Sequence, residues 1–176
     1  MAAVTKEHSS TKIQMHPLND TWLLYAHLPH DTSWTIDSYK VITEVKFVEQ
    51  VIALVDCLPE DLVTDCMLFW MRKGIQPIWE DTNNRGGGCF SYKITNKNVY
   101  AVWRKMSYLL CGETMTSKTG IMGKINGITI SPKKHFCILK IWLKTCSQQD
   151  PTIINYPGGN IISAQGCLFK RHNPEY

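Results

Sequence analysis

Hydrophobic and polar positions change period several times along the chain, and each change predicts an element. Residues 1–15 are polar and aperiodic, which predicts a disordered tail. From His16-Pro17-Leu18 onward apolar segments dominate. Residues 21–26 and 39–43 are short runs rich in β-branched and aromatic side chains, which predicts two strands. Then Phe47, Val51, Leu54, Val55 and Leu58 recur at helical spacing, predicting an amphipathic helix over about 46–57 that stops before Pro59.

Strand patterns return at 66–70 and 89–94, separated by the loop Asn83-Asn84-Arg85-Gly86-Gly87-Gly88, which reads as flexible. A second helix is predicted over about 99–111, ending at Gly112. Val102, Trp103, Met106, Leu109 and Leu110 share one of its faces, with Arg104, Lys105 and Tyr108 opposite. Residues 125–130 and 136–144 read as a hairpin with a basic tip. In its second arm Leu139, Ile141 and Leu143 point one way; Lys140, Trp142 and Lys144 point the other. After Asp150-Pro151 the pattern weakens to a loop around 156–159 and one last strand within 161–169. Strands joined by short turns, with two helices inserted singly, predict an α+β domain over 16–176: an antiparallel sheet with helices on one face.

The 176 residues, 44% hydrophobic and 19% charged, suit one globular domain with a real core. A net charge of +4 fits a local patch for a few phosphates better than a long nucleic-acid track. The clusters Lys133-Lys134-His135 and Lys170-Arg171-His172 read, by default, as solvated surface. Seven cysteines without metal-ligand spacing predict free thiols in a reduced, intracellular, cytoplasmic protein, with Cys57, Cys111 and Cys137 buried. Neither a secretory leader nor a membrane span is expected, and no cofactor or metal motif stands out.

Six tryptophans are many, and about half are expected in the core. Two carry chemistry: Trp34 in Thr32-Ser33-Trp34-Thr35, and Trp79 in Pro77-Ile78-Trp79-Glu80-Asp81. Indole is the ring that best attracts a flat cation. The adjoining Glu80 carboxylate can accept two parallel N–H donors. Two indoles and one carboxylate suit a planar, positively charged, donor-bearing ring such as N7-methylated guanine.

His16-Pro17-Leu18, Trp22, Trp34, Phe47-Val48-Glu49, Phe69, the run Gly74-Ile75-Gln76-Pro77-Ile78-Trp79-Glu80-Asp81, Gly87-Gly88, Trp103, Gly112-Glu113 and Ile141-Trp142 together resemble the eukaryotic translation initiation factor 4E family, the messenger-RNA cap-binding proteins. The resemblance covers about residues 16–145. It implies a curved antiparallel sheet of about eight strands, with three helices on the convex back and the cap pocket on the concave face. It implies that Trp34 and Trp79 sandwich the methylated base, that Glu80 accepts the base N1–H and amine, and that Trp142 packs near the N7 methyl.

For the phosphates the resemblance implies basic residues on the hairpin: the family's arginine falls on Lys133, where lysine would act as a point charge, or on Thr129, and its lysine falls on Ile138, with Lys140 as the substitute on that face. The expected phosphate ligands are Lys133, Lys134 and Lys140. The family's basic residue after the glycines is Cys89 here. On the back, the family docks a helical peptide of the scaffold factor 4G or of repressors. The corresponding surface is His16, Pro17, Val48, Ile52, Arg104, Lys105 and Tyr108. Ile52 stands where the family has tryptophan, and Lys105 where it has an acid, so a dedicated divergent partner is expected. No third long helix is visible near the C-terminus.

The expected function is non-catalytic: a monomer that binds capped messenger RNA for translation initiation, in a divergent paralogue or virus-encoded form. The alternative is a cap-binding repressor or decoy that does not recruit the usual scaffold. Cap-hydrolysing enzymes need carboxylate clusters for metal ions, and the only adjacent acidic pairs here are Glu60-Asp61 and Glu80-Asp81.

Overall fold

In the computed structural model, which describes residues 14–156 and 161–174, seven strands pair antiparallel into one curved sheet. They are β1 (Pro17–His27), β2 (Tyr39–Phe47), β3 (Met67–Arg72), β4 (Gly88–Thr95), β5 (Ile125–Pro132), β6 (Phe136–Leu143) and β7 (Cys167–Arg171), in the spatial order β2-β1-β3-β5-β6-β4-β7. This is one strand fewer than the resemblance implies. The expected tail lies outside the described residues, apart from Gln14 and Met15, which form neither helix nor strand. The loop expected at 156–159 likewise lies outside them beyond Tyr156.

Strict alternation splits the sheet residues between two faces. On one face Trp22, Leu24, Leu68, Trp70, Phe90, Ile128 and Ile141 join a large core under the helices. On the other, Phe69, Met71 and Trp142 form a smaller cluster, bordered by Tyr25, Tyr39 and Trp79. Trp22, Trp70 and Trp103 are core residues; Trp34, Trp79 and Trp142 are not part of that core.

Three helices cover the core face, one more than the hydrophobic period predicts. Helix α1 (Val48–Cys57) starts two residues later than expected because Phe47 is still extended. The Gln50 side chain accepts the backbone N–H of Lys46 and Phe47, at 2.8 and 3.2 Å, which fixes the strand-to-helix corner. Helix α2 (Glu60–Asp65) buries Val63, and at six residues it is too short to show a period. Helix α3 (Asn96–Cys111) buries Val99, Val102, Trp103, Met106 and Leu110. The Trp70 indole N–H donates to Ser107 Oγ at 3.0 Å, so a core tryptophan of the sheet is hydrogen-bonded to this helix. Cys111 and Cys137 are buried as expected, whereas Cys57 is exposed, because it lies at the outward side of the last turn of α1.

Past α3, Glu113 takes a left-handed backbone (φ 54°), a position glycine usually fills. Its carboxylate receives Asn19 Nδ2 and the Arg72 guanidinium, both at 2.6 Å. Arg72 also donates to the carbonyls of Ile125 and Met122 and pairs with Asp20. One buried cation thus ties β1, β3, β5 and the end of α3 together, at the end of β3 that leads into the Trp79 loop.

The open face requires close strand approach at Gly127, where an added Cβ would lie 2.0 Å from the Trp70 carbonyl oxygen. Gly127→Ala is expected to destabilise the protein by about 3 kcal/mol, the upper end for overpacking. Urea unfolding followed by fluorescence measures this; an unchanged midpoint would show that β3 and β5 can separate freely there.

Candidate functional site

The open face holds a cavity of about 640 Å³. Trp34, Trp79, Glu80, Trp142, Lys133 and Lys140 all line it, together with Tyr39, Phe69, Thr129 and Ser131. Lys134 does not line it and stays exposed at the hairpin tip.

Each wall has its own support. Trp142 projects from β6, and its indole N–H donates to Thr129 Oγ1 on β5 at 2.7 Å. Phe69 of β3 meets it edge to face at 6.5 Å. Trp34 precedes a short 3-10 turn (Ile36–Ser38) and lies flat on His27, with centroids 4.3 Å apart and planes 7° apart. His27 is fixed in turn by Nε2 against the Ser33 carbonyl at 2.8 Å. Trp34 nonetheless remains 59% exposed, so much of its surface is open to a ligand.

Trp79 sits in the β3–β4 loop, of which the sequence pattern reads residues 83–88 as flexible, and this loop is pinned from inside. Asp81 accepts the N–H groups of Gln76 and Asn83, at 2.9 and 2.7 Å. Asn84 is fully buried, and its amide donates to the carbonyls of Gln76 and Ile78, both at 2.8 Å. Asn126 of β5 donates to Asn84 Oδ1 at 2.9 Å. The bend around Trp79 is therefore held by carboxylate and amide contacts at both ends, and the indole and Glu80 project from it into the cavity.

Charge around the cavity is arranged asymmetrically. Burial, and then the nearby Glu80 carboxylate, push the Tyr39 hydroxyl up to about 12, so it stays a neutral donor. Lys140 lies 5.9 Å from the Trp79 ring centroid. Burial is the main reason its ammonium is held below the usual lysine range.

One site residue escaped the sequence reading. His172, in a cluster read as solvated surface, is buried, because just past β7 it packs on the open face against Trp79, Trp142 and the Asn84 carbonyl, while Lys170 and Arg171 stay exposed. Its ring is parallel to Trp79 at 5.9 Å and tilted against Trp142 at 4.9 Å. Nδ1 contacts the Asn84 carbonyl oxygen at 2.7 Å, and Nε2 is buried with no hydrogen-bond partner among the described residues. Protonation would bury an unpaired N–H cation, and burial holds His172 below its usual pKa.

On the helical side, Val48, Ile52 and Tyr108 line an apolar groove of about 360 Å³ with Leu18, Val51, Cys111 and Gly112. Ile52 is 46% exposed. His16 caps the first turn of α1: its carbonyl accepts the Val48 N–H at 2.9 Å, while its backbone N–H donates to Glu49 Oε2 at 3.0 Å and its ring contacts Oε1. Arg104 pairs with Asp56, which also accepts the Tyr108 hydroxyl at 2.9 Å. Lys105 is exposed and, like His16, Pro17 and Arg104, lies outside the groove lining.

Among the described residues no helix is long and apolar enough to cross a membrane, and no three His, Cys, Asp or Glu side chains gather to hold a metal ion. The C-terminal segment adds 3-10 turns and β7, with no third long helix among the described residues.

Comparison with known proteins bears on the family. The family model for eukaryotic initiation factor 4E matches residues 17–157. A eukaryotic translation initiation factor 4E homolog of Acanthamoeba polyphaga mimivirus is 49% identical over 61 residues, 35% of this chain and 22% of that protein. The eukaryotic translation initiation factor 4E of Candida glabrata is 29% identical over 143 residues, 76% of this chain and 66% of that protein. The chain thus spans less than two thirds of the length of these curated relatives. Two solved structures show the same fold. One is C. elegans eIF4E-3 in complex with the 4E-binding protein Mextli and a cap analog, with a TM-score of 0.69, 19% identity, and 78% of this chain and 79% of that one covered. The other is Ascaris suum eIF4E-3 with an m7G cap, with a TM-score of 0.68, 19% identity, and 77% of each chain covered. With the family match running through the strands that build the cavity and the helices behind it, this chain belongs to the eukaryotic initiation factor 4E family.

Proposed function

We propose that this protein binds the 7-methylguanosine cap of messenger RNA in the open-face cavity and acts in translation initiation in the cytoplasm, by binding and not by catalysis. The observation that carries this reading is the gathering of Trp34, Trp79, Glu80 and Trp142 on one cavity. N7-methylation makes guanine a flat cation. Trp34 and Trp79 take its two faces, Glu80 takes the N1–H and amine edge, and Trp142 takes the methyl side. Charge strengthens both the indole and the carboxylate contacts, so unmethylated guanine binds less well. Lys133 and Lys140 take the phosphates from within the cavity; Lys134, outside its lining, takes no part. The cap ligands of the solved relatives support the same reading.

The helical groove receives an apolar peptide helix of a scaffold of the factor 4G type or of a dedicated equivalent. The 4E-binding protein in the C. elegans complex is a partner of that relative. Exposed Ile52 provides less anchoring area than a tryptophan, and exposed Lys105 disfavours a basic partner residue. A second reading, a cap-binding repressor that does not recruit the usual scaffold, draws on this same altered surface.

Retention on immobilised 7-methyl-GTP tests the first reading. The protein is expected to elute with free 7-methyl-GTP and not with equal GTP; elution by both alike would contradict it. In calorimetric titration Trp79→Ala is expected to abolish measurable binding, and Glu80→Ala to cost about 1.5–3 kcal/mol.

The His172 pKa is lowered in the folded state, so the neutral ring contributes stability above the unfolded value near 6.5, and that contribution is lost as pH falls through the folded value. Urea unfolding is expected to show stability declining below about pH 6.5, and declining less in His172→Phe. Parallel pH profiles for the two proteins would contradict a buried neutral ring.

For the groove, a conventional Tyr-x-x-x-x-Leu scaffold peptide is expected to bind weakly. The double change Ile52→Trp with Lys105→Glu should raise its affinity at least about tenfold, the scale of one interface anchor. Tight binding by the unaltered protein would contradict the divergent-partner reading.

A further inference from the structure

The lysines facing the open side of the sheet do not all belong to the hairpin. Strand β7 is the sheet edge; its alternate residues Leu168 and Lys170 share the open face, and His172 just past its end lies on the same side. Register fixes where Lys170 stands. It pairs across from Cys89 of β4, which pairs across from Trp142 of β6. One step along, Leu168 is opposite Ser91, which is opposite Lys140. Lys140 and Lys170 therefore stand diagonally on either side of β4.

Between them lie only small side chains. Cys89 Sγ and Ser91 Oγ are 3.5 Å apart and form a low floor. Two strand spacings and one two-residue step place the two lysine Cα atoms about 12 Å apart, a gap that two long side chains can close above that floor. Lys133 flanks the same place from the hairpin. Both Lys133 and Lys170 act on the Lys140 ammonium as like charges. Among the described residues none of these three lysines takes part in an ion pair. Like charges placed this way repel, and an anion seated among them offsets that repulsion.

We propose that Lys170 and Lys140 form a phosphate seat across β4, so that the phosphate chain of a bound nucleotide leaves the cavity over the β7 edge and not along the Lys133-Lys134 tip. Lys133 closes the cavity side of the seat. The Ser91 hydroxyl adds a donor from the floor. RNA following the phosphates then passes exposed Leu168 on the same face of β7. The naming of the base rests on the cap reading; the phosphate seat rests on the register and on three lysines that form no ion pair among the described residues.

The test titrates wild type, Lys170→Gln and Lys134→Gln with 7-methyl-GTP, 7-methylguanosine, GTP and inorganic tripolyphosphate at low and high salt. Lys170 is exposed on an edge strand, so its replacement leaves folding intact. Lys170→Gln is expected to weaken 7-methyl-GTP and tripolyphosphate by about five- to tenfold and to flatten their salt dependence. It should leave 7-methylguanosine unchanged. Lys134→Gln should alter every ligand less than about twofold, as for an exposed charge. Unchanged 7-methyl-GTP and tripolyphosphate affinity in Lys170→Gln, or a larger loss in Lys134→Gln, would overturn the seat. Equal wild-type affinity for GTP and 7-methyl-GTP would sink the cap reading alone, since the tripolyphosphate arm still judges Lys170.

Discussion

The open face depends on one buried amide. Asn84 touches two carbonyls of the Trp79 bend through Nδ2, the β5 strand through Oδ1, and His172 through its own carbonyl. A buried carboxamide with its groups satisfied is rigid, because breaking any contact leaves a polar atom unpaired at about 1–3 kcal/mol. The loop, the central strands and the C-terminal edge are thereby set relative to one another before any ligand arrives. Preorganisation of this kind spares a ligand the cost of ordering a loop.

A sheet with two working faces makes this arrangement possible. One set of alternate residues goes to the helix-covered core, so the other set is free to form a floor of Phe69, Met71 and Trp142. Trp142 shows the division most sharply: its neighbours Ile141 and Leu143 are core residues, while its own indole is hydrogen-bonded within the open face. The helical groove lies on the opposite side. The proposed base site and the proposed partner site therefore share a scaffold and no side chains.

Much of this was legible in the chain. Period-two alternation marked the strands, and the helical period marked α1 and α3, since both bury one broad face. Trp34, Trp79, Glu80 and Trp142 were nameable as a set, and they line one cavity. What escaped had physical reasons. Helix α2 has too few residues to show a period. Glycine and asparagine in the β3–β4 loop suggested mobility, whereas Asn84 was buried by contacts from residues far away in sequence. His172 was masked by its charged neighbours, and only strand pairing shows which way it turns. Cys57 lies in an apolar stretch, but on the outward side of the last turn of α1. The Arg104–Asp56 pair joins two helices and leaves no mark in either one's own pattern.

The central claim is that the Trp79 wall is built by Asn84 and not by the ligand. The direct measurement is the affinity of Asn84→Ala for 7-methyl-GTP, taken by tryptophan fluorescence at a temperature where circular dichroism shows the variant folded. Asn84 lines no part of the cavity, yet the account predicts a loss of at least about tenfold, or 1.4 kcal/mol. A folded variant with wild-type affinity would show that the loop closes on the base without this support, and would contradict the account.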